Sequence, residues 1–318
     1  MIIAAPHQSP VFSIVTVIDF KAGHDGAWAD LTETLRKLQA QDFKGPVQCT
    51  LVQAKAAQMT IPHELQTLIE GTQVLLADGE SSYDLKNAGA RAARSDWVVI
   101  LDADCPPGTQ WLSALASHRA RFPTADVISG RTFYRADGLL PRVLALLDRC
   151  YVDSGNAGPT HAISTNNTSF RRSVFIDHPM MNDAGPYGSK PHANKLMAAG
   201  MALHFEPDML AYHAFGGWNM VRETRRQTGY SMAMHRKVDK NAKYASLYRW
   251  KELALPIIVC MSIADSCIKC VRFRKHYKIR LYELPFAWLV AAASHLLEVP
   301  GLHEGMHTKR AKRFIAYR

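Results

Sequence analysis

Residues 97–106 read WVVILDADCP, an apolar run that drives into two aspartates separated by one alanine. Like charges that close repel, and neither carboxylate is buried cheaply without a partner. In an extended chain alternate side chains share a face, so Asp102 and Asp104 can point the same way. Hard cations such as Mg²⁺ and Mn²⁺ take carboxylate oxygens and commonly bridge to the phosphates of a substrate. The pair therefore suits a divalent-metal site at the end of a buried strand. The alternative is a solvated strand end with two unrelated carboxylates.

The surrounding elements decide which reading is better placed. β-Branched and apolar runs predict strands at 12–20, 47–53, 72–78, 97–101 and 125–134. Apolar residues at helical spacing predict helices over 25–41, 63–70, 82–94 and 140–152. A polar segment at 164–175 enters a strand or turn, and 195–213 reads as helix, turn and strand. Alternating strands and helices imply an α/β fold with a mixed, mostly parallel sheet flanked by helices. Ligands of such sheets bind outside the carboxyl ends of the strands, where Asp102 and Asp104 fall.

The chain has 318 residues, 47% of them hydrophobic, and a formal net charge of +10. Residues 216–318 hold 20 Lys and Arg against 7 Asp and Glu, so the basic surplus is C-terminal. Three runs carry most of it: RETRRQ (222–227), VRFRKHYKIR (271–280) and HTKRAKR (307–313). These runs lack interleaved aromatic groups beyond Phe273 and Tyr277, which argues against nucleic acid. Between them lie two apolar stretches of 19 residues, Leu253–Val271 and Leu284–Leu302. Asp265, Lys269, His295 and Glu298 interrupt them, so helices lying on an anionic membrane surface are expected rather than true spans; two buried helices of a soluble domain are the alternative. The expected division is an α/β domain at 1–215, which carries the Asp-x-Asp strand, and a basic, apolar helical region at 216–318. The six cysteines form no disulfide framework, and Cys267 and Cys270 read as core residues. No Lys or Arg precedes Lys21, unlike a secretory leader, and a cytoplasmic location at the inner face of the membrane follows.

The segment YDLKNAGARAARSDWVVILDADC (83–105) resembles the family 2 glycosyltransferases, with their Lys-Asn-x-Gly helix before a strand ending in Asp-x-Asp. NNTSFRRSVF (166–175) and KLMAAGMALHFEPDMLAYH (195–213) resemble the segments that follow in that family, in the same order. The resemblance spans roughly residues 11 to 230. It implies a GT-A-like fold, a nucleotide-diphosphate sugar donor, UDP-linked, and inverting transfer assisted by Mn²⁺ or Mg²⁺. By the same resemblance Asp102 contacts the ribose, Asp104 binds the metal with His213, and Lys86 and Asn87 lie near the nucleotide. Arg171, Arg172, Arg225 and Arg226 are expected to face the diphosphate, since phosphate needs fixed positive charge.

Two departures stand out. Where the family has paired aspartates for the base, this chain has Gln53 and Ala54, and Gln53 can still accept from a pyrimidine N–H. Where the family has Glu-Asp, this chain has Gly188 and Ser189. Inverting transfer needs a group to take the acceptor's proton, and Asp183 and His192 are the nearest candidates. A nucleotide-sugar binder without catalysis and a nucleotidyltransferase are the alternatives to a transferase.

Overall fold

β2 (Phe12–Ile18) and β5 (Trp97–Asp102) are runs of β-branched and apolar residues buried on both faces, as central parallel strands require. The computed structural model describes residues 2–3, 9–18, 27–57, 59–79, 81–181, 188–240 and 242–308. Around that centre the described residues form one sheet of nine strands. The others are β1 (Ile2–Ile3), β3 (Pro46–Ala54), β4 (Gln73–Ala77), β6 (Val127–Arg135), β7 (Gly158–Pro159), β8 (Asn167–Arg171) and β9 (Leu203–Ala214). The order is β1-β3-β2-β5-β8-β6-β9-β7, with β4 also pairing β3. β8 runs antiparallel to both β5 and β6, while β1 to β5 are mutually parallel and β6 is parallel to β9.

One face is covered by α1 (Ala27–Gln39), the short α2 (His63–Thr67) and α4 (Trp111–Arg121), which share a core with Ile14, Leu51 and Val99. The other is covered by α3 (Ser82–Ala92), α6 (Arg172–Asp177) and α7 (Ser189–Ala198), packed on Val15, Val52 and Val98. α3 starts at a capping box in which the Ser81 hydroxyl accepts from Asp84 N–H and Asp84 Oδ2 accepts from Ser81 N–H. Gly89 lets this helix lie hard on the sheet: a β-carbon there would sit 2.2 Å from Val15 Cγ1. That close approach carries Lys86 over the end of β5.

Beyond β9 the described chain is helical: α8 (Gly217–Val238), a 3₁₀ segment (Ala245–Ala254), α9 (Leu255–Phe273) and α10 (Leu284–His307). With α5 (Leu139–Arg149) they build a further core around Val143, Val221, Cys270 and Ala287. α8 and α10 touch backbone to backbone, since a β-carbon on Gly301 would fall 1.8 Å from Arg226 O. Both apolar stretches thus form helices, and each is long and apolar enough to cross a membrane by length and composition. Leu253, Ile257, Ile268, Leu289 and Leu296 stay exposed on them.

Candidate active site

β5 ends at Asp102, and the chain then turns, with Cys105 N–H donating to Asp102 O. The turn parts the two carboxylates, and each meets a different partner. Asp102 Oδ1 lies 2.8 Å from Lys86 Nζ, an ion pair rather than a well-aligned hydrogen bond, on a lysine only 2% exposed. Asp104 is delivered to β9 by a short zipper. Ala214 N–H donates to Asp104 O at 2.9 Å, Tyr212 N–H to Pro106 O at 3.0 Å, and Gly108 N–H to Leu210 O at 2.9 Å. This pairing brings His213 Nε2 to 3.6 Å from Asp104 Oδ2.

His213 is buried, and its Nδ1 lies 2.7 Å from Ala214 O. Since a carbonyl only accepts, Nδ1 carries a proton, and Nε2 is the ring atom turned toward Asp104. A carbonyl behind the ring is how metal-binding histidines are commonly oriented. Cys105 stands with them, the ligand atoms of Asp104, Cys105 and His213 all lying within 4.8 Å of one another. Burial, with Asp104 and Asp102 beside it, pushes the Cys105 thiol well above its ordinary range, and Asn166 Nδ2 donates to its sulfur. The carboxylate and the imidazole are the donors of this group that suit a hard divalent cation such as Mn²⁺ or Mg²⁺.

Three aromatic and cationic groups that sequence reasoning does not single out close the site. The Tyr83 phenol, one helical turn before Lys86, is buried beside Asp102 and Tyr151 and hydrogen-bonded to Thr165, and burial holds its proton on. Arg149 ends α5 facing Tyr134, Tyr151, Asp148 and Cys105. Burial opposes its charge, and those neighbours more than restore it. Tyr151 reaches 3.4 Å from the hydroxyl of Ser189, the residue that replaces the expected carboxylate at the start of α7. The one available signal was the spacing of Tyr83 from Lys86.

Other expected site residues have other duties. Gln53 is buried at the end of β3, where its amide donates to Met59 O and accepts from Met59 N–H, shaping its own loop. Asn87 does the same for Met180, at 2.9 and 3.0 Å, and so ties down the chain just before 182–187. Asp183 lies outside the described residues. Gly188, on the far side of that gap, packs against the Tyr83 ring.

Several assignments are corrected. His192 is a core histidine: Nε2 is 2.8 Å from His178 O, Nδ1 is sealed from solvent, and the ring stacks on Phe170. Burial lowers its pKa to about 4, and no acceptor hydroxyl can reach it. Arg171 pairs in register with Trp97, at the start of β5, about 16 Å along the strand from Asp102. There it binds Ala125 O, Pro123 O and Asp126, while Arg172 N–H donates to Asp96 O. The antiparallel course of β8 sends the Arg-Arg pair to the wrong edge of the sheet. Arg225 is buried between Asp148 and Glu298, and Arg226 pairs with Glu304 on α10. Both serve helix packing.

Residues 84–178 match the model of the glycosyl transferase family 2. Among solved structures, the fold is similar to the mannosyltransferase PcManGT from Pyrobaculum calidifontis in complex with GDP-Man and Mn²⁺ (TM-score 0.60, 15% identity, 97% of this chain and 90% of that one). It is also similar to residues 1–349 of TarS from S. aureus in complex with UDP-GlcNAc (TM-score 0.51, 15% identity, 91% of this chain and 81% of that one). No curated protein matches the chain significantly.

Proposed function

We propose that this chain, a family 2 glycosyltransferase across residues 84–178, transfers the sugar of a nucleotide-diphosphate sugar to an acceptor hydroxyl with inversion. The observation that carries this reading is the Asp104–His213 pair, 3.6 Å apart at a strand end, with the histidine ring oriented by a backbone carbonyl. Asp104 and His213 would hold Mn²⁺ or Mg²⁺, which would supply positive charge for a leaving diphosphate. Asp102, oriented by Lys86, accepts hydrogen bonds from the ribose, and Arg149 adds fixed positive charge to the same wall. Asp183 takes the acceptor's proton. The solved relatives carry GDP-Man and UDP-GlcNAc, which supports a nucleotide-sugar donor; a UDP sugar is the first to test.

Titration calorimetry of UDP sugars with and without Mn²⁺ tests the metal. Asp104→Ala should abolish the Mn²⁺-dependent gain in donor affinity, while Asp96→Ala, at the other end of β5, should leave it unchanged. Equal affinities in the two variants would sink the assignment. A second reading, a binder without turnover, is favoured by Gly188 and Ser189 standing where a carboxylate is expected. It predicts donor binding with neither transfer nor hydrolysis.

The same proposal seats α9 and α10 on the inner face of an anionic membrane, with 1–215 as the catalytic domain and 216–318 as the docking region. Exposed Leu253, Ile257 and Leu289 support contact with lipid, and the basic residues beside them support the anionic surface. Flotation of the full chain with anionic liposomes should weaken only in part at high salt. Protein that stays at the bottom of the gradient at low salt would refute the membrane seat.

A further inference from the structure

The last turn of α10 carries His303 and His307, four residues apart and therefore on one helix face. Facing them from the 3₁₀ segment is Glu252. Its Oε1 lies 2.6 Å from His307 Nε2 and 3.8 Å from His303 Nε2, and the two imidazole centroids are 4.6 Å apart. His307 Nδ1 lies 2.9 Å from His303 O, which fixes that ring from behind and turns Nε2 outward. Lys251, just before Glu252, takes φ 46° and ψ −123°, a conformation that a side-chain-bearing residue adopts only where its surroundings impose it. That bend is what aims the carboxylate at α10.

We propose that Glu252, His303 and His307 form a second metal site, separate from the strand-end site, for a borderline transition-metal ion such as Zn²⁺. Two imidazoles and one carboxylate, with water in the fourth position, are a donor set that Zn²⁺ takes readily. Tetrahedral zinc spaces its ligand atoms about 3.3 Å apart. The two distances here, 2.6 and 3.8 Å, bracket that value, so small side-chain rotations close the set. All three side chains are between 40% and 56% exposed, which leaves the ion an entry path and room for water.

HEGMH (303–307) also has the His-Glu-x-x-His spacing that zinc hydrolases place on a helix. The helix turns Glu304 off the His face, and its Oε2 is engaged by Arg226 of α8 at 3.0 Å. Among the described residues no carboxylate beyond Glu252 itself meets the His pair to activate the metal's water. The ion acts instead as a clasp that holds the 3₁₀ segment, and with it the start of α9, against the end of α10.

The test uses full-length protein in detergent, stripped with EDTA and titrated with Zn²⁺ alone, with bound metal counted by elemental analysis. Wild type should hold one Zn²⁺ that survives Asp104→Ala. His303→Ala/His307→Ala should lose it, with affinity down at least about tenfold. Zn²⁺ should raise the melting temperature of wild type and of Asp104→Ala but not of the double-histidine variant. Should that variant fold poorly, Glu252→Gln, an exposed near-isosteric change, should weaken Zn²⁺ binding by itself. Unchanged Zn²⁺ content in the histidine and Glu252 variants, or loss of all bound Zn²⁺ on Asp104→Ala, overturns the proposal.

Discussion

The carboxyl edge of the sheet and the α5–α8–α10 junction handle charge in opposite ways. At the edge, Asp102 and Asp104 stay partly open to solvent, beside Lys86 and His213 respectively. At the junction the charges form a closed chain. Tyr134 O–H donates to Asp148, which pairs with Arg225; Arg225 also binds Glu298, Glu298 binds His295, and His295 Nε2 lies 2.8 Å from the Ser266 hydroxyl. The junction stands directly behind the edge, because the Tyr134 ring meets that of His213 edge-on at 5.8 Å. A satisfied buried network holds elements in place, whereas the carboxylate and imidazole at the edge face one another across 3.6 Å, beyond hydrogen-bond contact. Basic residues in the sequence are therefore a poor guide to phosphate contacts in this chain.

The comparison breaks most sharply at Asp183. Replacing it with Asn should abolish sugar transfer, by about a hundredfold or more, while donor affinity changes little, because only the proton acceptor is lost. Full activity in Asp183→Asn, read from released nucleotide in steady state, would remove it as the base.

The next effect belongs to the junction. Arg225→Ala leaves Asp148 and Glu298 buried without their cation and should cost about 3–5 kcal/mol of stability, while Arg225→Met should cost less by filling the space. Urea unfolding measures both. Donor affinity in the folded fraction should match wild type. A selective loss of donor affinity at full stability would return Arg225 to the diphosphate.

His192 sets a pH dependence. Its pKa is about 4 in the fold against about 6.5 unfolded, so protons favour the unfolded chain as pH falls through that window. Stability is fully present above pH 6.5 and should fall by about 2 kcal/mol by pH 5 from this residue alone. His192→Leu should flatten that slope in unfolding measured at pH 7 and pH 5. An unchanged slope would mean that the ring is not sealed in the core.

The smallest effects are expected at the remaining arginines. Arg171→Ala and Arg226→Ala should leave donor affinity within about twofold, and the Arg226–Glu304 surface pair should contribute less than about 1 kcal/mol. A large rise in the donor's KM for either variant would contradict their placement away from the strand end.

Much of the sheet could be read in advance. β2, β3, β5 and β6 lie where runs rich in β-branched and apolar residues predict them, since strands covered on both faces favour such residues. α4 could not, because its buried face includes His118, which is fully enclosed and bound to Glu206 and His204. A polar residue satisfied in the core erases the periodic signal that marks a helix. α8 was hidden for a related reason: RETRRQ reads as a solvated or phosphate-facing run until Glu298 and Glu304 arrive from α10.

The sequence by itself determined the α/β order, the apolar strand that must end in Asp-x-Asp, and the two apolar C-terminal helices. Those features rest on local propensity and on patterns within a single element. Only the tertiary structure decided which charges meet at the strand end and which are paired elsewhere. The antiparallel course of β8 carries Arg171 away from the site, and the zipper between 104–108 and β9 delivers Asp104 to His213. α10 neutralises Arg225 and Arg226, and α7 closes His192 into the core. Each outcome depends on a partner distant in sequence, and pairing of that kind is set by topology and packing rather than by local pattern.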